Sequence, residues 1–150
     1  MRNPRATRPW QHVLEPLGGY LFLGRLLRDA LQLSAGPIRT ETVARYASAF
    51  NFGPNLESNR SVRELVEQVL RHWPGRWEDA SDPTAPHEAA LLNLATDKAF
   101  HTLGWHPRWD FQQTVARTMA WYRQASQGED PAALTRQDID AYLSEGRASQ

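Results

Sequence analysis

Two four-residue stretches constrain this chain more than anything else in it: Ser61-Val-Arg-Glu64 and Asp110-Phe-Gln-Gln113. Each has the spacing of a capping box, in which a short acceptor side chain and a Glu or Gln three residues later satisfy each other's backbone N–H groups at a helix start. Behind the first, Val62, Leu65, Val66, Val69, Leu70 and Trp73 recur every three or four residues and predict a helix from Ser61 to Trp73. Behind the second, Phe111, Val115, Thr118, Met119 and Tyr122 predict a longer one. The rest of the chain has to be arranged around two helices whose starts and apolar faces are set locally.

Between and around them the pattern alternates. In RPWQHV near the start, Arg8, Trp10 and His12 fall at every second position, so a strand would point them to one face and Pro9, Gln11 and Val13 to the other. Leu14-Glu15-Pro16 then opens a helix carrying Leu17, Tyr20, Leu21, Leu27 and Leu31, weakened by Gly18, Gly19 and Gly24. SAGPIRTETVA reads as a surface loop, and ASAFNFGPN as a buried strand at Ala49 to Phe52 ended by a Gly53-Pro54 turn. RWEDAS and LLNLA read as short strands around the Pro-containing loop DPTAPHEA. Thr96 to Leu103 is helical with Gly104 placed to stop it, and Thr135 begins a last helix with Ile139, Tyr142 and Leu143 on its apolar side. The expectation is a mixed α/β chain forming one domain over residues 1–150.

Composition narrows the function. Lys and Arg total 17 against 17 Asp and Glu, so no overall field draws the chain to nucleic acid or to an anionic membrane. The absence of cysteine removes disulfides, thiolate metal sites and thiol nucleophiles, and fits a reducing cytoplasm. No apolar run approaches the roughly 18 residues of a membrane span, so a soluble, cytoplasmic protein is expected. Neither a G-x-G-x-x-G nor a G-x-x-G-x-x-G loop follows a strand, Lys98 is the only lysine and completes no Tyr-x-x-x-Lys pair, and there is no G-x-S-x-G. His101 and His106 lack the spacing of metal ligands, and Asp97 with His101 reads as a surface pair, so no metal is expected.

RNPRATRPWQHVLEPLGGYL, AFNFGPNLESNRSVRELVE, SDPTAPHEAALLNLATDKAFHTLGWHPRWDFQQTVARTMAWYR and GEDPAALTRQDIDAYL together resemble the C-terminal portion of the CDP-glucose 4,6-dehydratase branch of the extended short-chain dehydrogenase/reductases. The resemblance covers essentially the whole chain. It implies an α/β fold, the C-terminal substrate-binding part of an extended Rossmann-type dehydratase without the N-terminal NAD-binding half, with Ala49 to Phe52 as one strand of the parent sheet. It implies a lyase in the complete enzyme, using NAD to turn CDP-glucose into the 4-keto-6-deoxy sugar and water, and a homo-oligomer. The glycine loop and the Tyr-x-x-x-Lys pair belong to the half that has no counterpart here, so this chain alone is expected neither to retain NAD nor to be active, and carries no catalytic residue. A truncated reading frame, a split gene and an expression fragment all fit that expectation.

The resemblance also assigns candidate substrate contacts. Arg8 matches the arginine that meets the diphosphate, a role suited to a guanidinium, which offers planar bidentate bonds and stays charged at any working pH; by residues alone it reads as a strand-edge arginine reaching solvent. Trp10 shares its face and is the one tryptophan set aside for the sugar, whereas Trp73, Trp105, Trp109 and Trp121 are assigned to packing. His87, next to Glu88, matches a segment where a second basic residue approaches the diphosphate or ribose; capping a loop behind Pro86 is the other reading. Asn51 and Asn55 are expected to bond the backbone of the turn between them. The partners expected are a CDP-sugar and a cofactor-binding half in the same or a second chain. The alternative is a non-catalytic binding or assembly module derived from such an enzyme.

Overall fold

Both capping boxes form. Ser61 Oγ accepts from Glu64 N at 3.2 Å while Glu64 Oε2 accepts from Ser61 N at 2.7 Å. Asp110 Oδ1 accepts from Gln113 N at 2.8 Å and Gln113 Oε1 from Asp110 N at 3.1 Å. In the computed structural model, which describes residues 1–82 and 91–145, the element order is β1 (Thr7–Pro9), α1 (Leu14–Leu31), α2 (Pro37–Tyr46), a single 3₁₀ turn (Leu56–Ser58), β2 (Asn59–Ser61), α3 (Val62–His72), α4 (Asp97–Leu103), α5 (Phe111–Ser126) and α6 (Pro131–Glu145). The described residues are therefore mixed α and β, with six helices and one two-stranded antiparallel ribbon of β1 and β2.

α1 is one continuous helix through its three glycines, and two of them explain its packing. A Cβ on Gly19 would lie 2.4 Å from the Phe52 ring, and one on Gly18 would lie 2.6 Å from the Tyr142 hydroxyl. Without those methyl groups Phe52 and Tyr142 lie directly on the helix. Phe52 joins Ala99, Leu103 and Trp105 in the main core, with Phe22, Leu23, Leu26, Tyr46 and Phe50 packed around it. Its ring meets Trp105 edge-on at 5.0 Å and Tyr20 at 5.5 Å. α3 packs on α5, α5 on α6, and α2 on both α1 and α4. α4 stops where expected, at Gly104 with φ 69°, whose N–H reaches the Phe100 carbonyl at 2.8 Å.

Five expectations change. The stretch expected as a loop around Ile38 is helix α2: Pro37 occupies the first turn, where its missing N–H is no loss, and the helix rests on α1. Residues 49–52 form no strand, because no neighbouring strand among the described residues offers them a ladder; the segment runs irregularly, with Phe52 buried and Phe50 stacked on it at 6.5 Å. The stretch 76–81 also forms no ladder; instead Ala80 N donates to Met1 O at 2.8 Å. Of LLNLA only Leu91 pairs, through an isolated parallel bridge to Thr7. α6 begins at Pro131, four residues before Thr135, because Asp130 accepts from Ala132 N and Ala133 N at 3.1 and 3.2 Å.

The glycines give opposite expectations. Gly24 is exposed and a Cβ there meets nothing within 4 Å, so Gly24→Ala should raise stability by about 0.5–1 kcal/mol through helix propensity. Gly19→Ala gains the same propensity but drives a methyl into the Phe52 ring, and a net loss of about 1–3 kcal/mol is expected. Denaturant melts of the two variants check the pair; equal shifts would show that the Gly19 contact relaxes freely.

Candidate functional site

The ribbon carries the first candidate residue. Its register pairs Thr7 with Ser61, Arg8 with Arg60 and Pro9 with Asn59. Pro9, which cannot donate to a ladder, sits at the end of the strand, where the pairing stops. The alternation expected through His12 therefore breaks after Pro9, and the three residues of RPWQHV that would have shared a face go to different places. Arg8 stays on the ribbon, where its Nη1 donates to the Thr7 carbonyl at 2.8 Å. Trp10 turns its indole N–H onto the Arg60 carbonyl at 2.9 Å, while its backbone N–H reaches Ser58 O at 3.3 Å. His12 is buried, takes the Leu14 N–H on Nδ1 at 3.3 Å, and meets the Trp109 ring edge-on at 4.7 Å. His87 and Glu88 lie outside the described residues.

Directly after His12, the first turn of α1 buries Glu15 completely. One carboxylate oxygen accepts from Arg108 N at 3.0 Å and Trp109 N at 2.8 Å; the other accepts from the Tyr142 hydroxyl at 3.0 Å. Trp109, also buried, donates its indole N–H to Glu145 at 2.6 Å and carries the Arg117 guanidinium over its ring at 4.2 Å. Arg117 closes on Glu145 at 2.7 Å, and Arg108 lies over the Tyr142 ring at 4.3 Å and bonds the Tyr142 carbonyl. This cluster fixes the entry to α1 against the loop before α5 and against α6.

Electrostatics follow burial. Desolvation raises the Glu15 carboxyl above its ordinary value, against the pull of the Trp109 and Arg108 amides and Tyr142. The Tyr142 phenol is pushed up by burial and by the Glu15 charge. Burial lowers His12; Asp138 works against that and Arg117 with it. Among the described residues no group of three or more His, Cys, Asp or Glu is placed to hold a metal ion. No helix there is long and apolar enough to cross a membrane.

Two further assignments move. Asn51 does not bond its own turn: its side chain donates to Ala95 O at 3.1 Å, tying the Phe52 segment to the stretch before α4, while Asn55 offers only its carbonyl, to Ser58 N at 2.9 Å. Trp105 and Trp109 are core residues as expected, Trp121 is half-buried with its N–H on Thr135 Oγ1 at 3.2 Å, and Trp73 is 39% exposed at the end of α3. Sequence reasoning missed Arg60, which only the register brings opposite Arg8, and Glu15, whose acceptor role depends on residues far along the chain.

No protein-family model matches the chain. It is 36% identical over 148 residues to CDP-glucose 4,6-dehydratase of Salmonella typhimurium, an alignment that takes in 96% of this chain and 37% of that enzyme. The matched part is the C-terminal portion. This chain resembles the C-terminal part of a CDP-glucose 4,6-dehydratase. It spans 37% of that relative's length. The NAD that such a dehydratase implies finds no cradle among the described residues: a dinucleotide site needs a parallel strand leading through a glycine-rich turn into a helix N-terminus. The described residues hold only an antiparallel ribbon, so no hydride step is assigned to them.

The Glu15 cluster is testable by substitution. Glu15→Ala leaves the Arg108 and Trp109 amides and the Tyr142 hydroxyl without their acceptor and should cost about 3–5 kcal/mol. Glu15→Gln can keep all three bonds, its carbonyl taking both amides and its NH₂ donating to the Tyr142 oxygen, and should stay within about 1 kcal/mol of the parent. The pH signature is separate. A carboxyl raised in the folded state binds its proton more tightly there, so its contribution to stability falls as pH rises from 4.5 through the folded value. His12, lowered in the folded state, acts oppositely: its contribution is full above pH 6.5 and is lost as pH falls through the folded value. Melts across this range should show the Glu15 component vanish in Glu15→Gln while the His12 component remains.

Proposed function

We propose that this chain is the nucleotide-sugar-binding part of a CDP-glucose 4,6-dehydratase. The observation that carries it is the match along 96% of the chain. The β1–β2 ribbon adds support, since it offers the Arg8 guanidinium from a backbone clamped on several sides: Val62 N donates to Ala6 O and Arg63 N to Pro4 O, both at 2.9 Å. On this proposal Arg8 meets the diphosphate of a CDP-sugar through charge-assisted, bidentate bonds. The chain supplies binding energy and orientation, and the oxidation at C4, loss of water across C5 and C6, and return of hydride occur on NAD held by a cofactor-binding part in the same or another chain. Trp10 remains a proposed sugar contact through its ring face, with its indole N–H holding the Arg60 carbonyl. His87 remains a proposed second basic contact.

α1 supports the need for a complement. Leu17, Tyr20 and Leu21, at 46%, 60% and 77% exposure, form an apolar stripe on its outer side. Such a stripe on a helix already anchored at its first turn suits contact with another protein surface. Sedimentation at rising concentration should show self-association that Leu21→Glu reduces. A monomer at high concentration that binds no hydrophobic dye would show that the face needs no cover.

Calorimetry tests the binding role. CDP-glucose should bind the chain, and Arg8→Ala should weaken it by about 1.5–3 kcal/mol, with Arg8→Lys recovering only part. Unchanged affinity in folded Arg8→Ala removes Arg8 from the site. Incubated alone with CDP-glucose and NAD, the chain should give no 4-keto product; turnover by homogeneous protein would overturn the division of labour.

A further inference from the structure

We infer that the cavity between the start of α1 and helices α5 and α6 is a binding site for a small organic cation, an alkylammonium ion held between the Asp138 carboxylate and the rings of Trp121 and Tyr122. The site is separate from the proposed nucleotide role, since Arg8 does not line it. The cavity holds about 450 Å³, and Val13 and Tyr122 in its lining are exposed, so it opens to solvent beside them. Asp138 is the only lining residue with a formal charge at neutral pH, because burial keeps His12 toward its uncharged form. The Asp138 charge is only partly answered from within. Its one ion pair among the described residues is with Arg117 at 3.9 Å, too long for a hydrogen bond. Arg117 closes instead on Glu145 at 2.7 Å and lies over the Trp109 ring. One guanidinium therefore serves two carboxylates, and the balance is a negative charge in the cavity wall. The Asp138 side chain is 20% exposed, so little water screens that charge from a cation that enters.

The aromatic side of the cavity selects the kind of cation. The Trp121 and Tyr122 rings meet at 5.2 Å and 82°, giving two walls nearly at right angles. The indole N–H is taken by Thr135 Oγ1 at 3.2 Å, and that hydroxyl donates to Pro131 O at 2.8 Å. Trp121 is thereby fixed against α6, with only ring surface left to offer. A ring face attracts a cation through its quadrupole, and an ammonium ion dressed in methyl groups also gives up little hydration on leaving water. Anions are repelled by Asp138. A metal ion finds too few ligands, since no group of three or more His, Cys, Asp or Glu stands together among the described residues.

Titration of the chain with choline and with neohexyl alcohol, which has the shape of choline without its charge, tests this. Choline should raise the melting temperature as its concentration rises and shift the Trp121 indole N–H resonance, identified by its loss in Trp121→Phe. The alcohol should bind about fivefold more weakly or worse. Asp138→Asn should weaken choline by about tenfold and Tyr122→Leu by about fivefold, with circular dichroism reporting the fold of each variant. Tyr122 is 58% exposed, so its variant decides the matter if Asp138→Asn does not fold. Equal binding of choline and the alcohol, unchanged choline affinity in either folded variant, or no binding of choline to the unaltered chain overturns the cation site. Each of these outcomes leaves CDP-glucose binding and the role of Arg8 to their own measurement.

Discussion

The carboxylate of Glu15 is the point on which the rest of this structure depends. A charge buried without water costs several kcal/mol even after relaxation, and only well-placed donors offset it. Here two backbone amides and a phenol converge on it, and its place in the first turn of α1 adds the favourable end of the helix dipole. Burial still outweighs those donors in the balance that sets its protonation. The arrangement is costly and, for that reason, specific: if α6 slid by a turn, or if the 108–109 amides turned away, a donor would be lost from a group that has no solvent to replace it. Trp109 spreads the constraint, with His12 and Tyr142 at its edges and Arg117 on its face.

The cluster reaches the candidate site through the chain itself. Only Trp10 and Gln11 separate Pro9, the end of β1, from His12, and both are tied down: Trp10 on Arg60, and Gln11 on the Phe52 carbonyl at 3.1 Å. The ribbon that carries Arg8 is thereby fixed at one end to the Glu15 cluster and along its length to β2, whose last residue is the cap of α3. α3 in turn packs on α5, which starts two residues after Trp109. A closed mechanical circuit from ribbon to helices and back therefore holds the strand that carries Arg8.

What could be read in the sequence was what is decided within a few residues. The caps at Ser61 and Asp110 and the stop at Gly104 are satisfied by neighbours three or four positions away, and all three formed. The strand at Ala49 to Phe52 was not legible because an apolar run looks the same whether it joins a ladder or lies irregularly under a helix; Gly19 decides that, thirty-odd residues upstream. α2 was hidden by a polar sequence without a buried residue, stabilised by an early proline and by α1 rather than by its own pattern. Glu15 read as an ordinary acidic first-turn residue, since its partners lie 93, 94 and 127 positions away. The role proposed for Arg8 rests on resemblance, whereas the pairing of Arg8 with Arg60 comes only from the register.

Zero net charge shapes how an anion would be held. With 17 cationic and 17 acidic side chains interspersed, the chain offers no long-range field to gather a nucleotide, and charges farther than about 10 Å are screened at ordinary salt. Attraction must then come from groups in contact, and a guanidinium on the ribbon, as proposed for Arg8, supplies it best from a backbone that is already held. In a flexible ribbon the ligand would have to order that backbone at a cost in entropy. With Trp10 clamping the Arg60 carbonyl and the Glu15 cluster holding the far end, that cost is met in folding. On the proposed role of Arg8, stability of the helical core and affinity at the ribbon are coupled: whatever loosens Glu15 loosens the ribbon, and an anion bound there adds its binding free energy to the folded state.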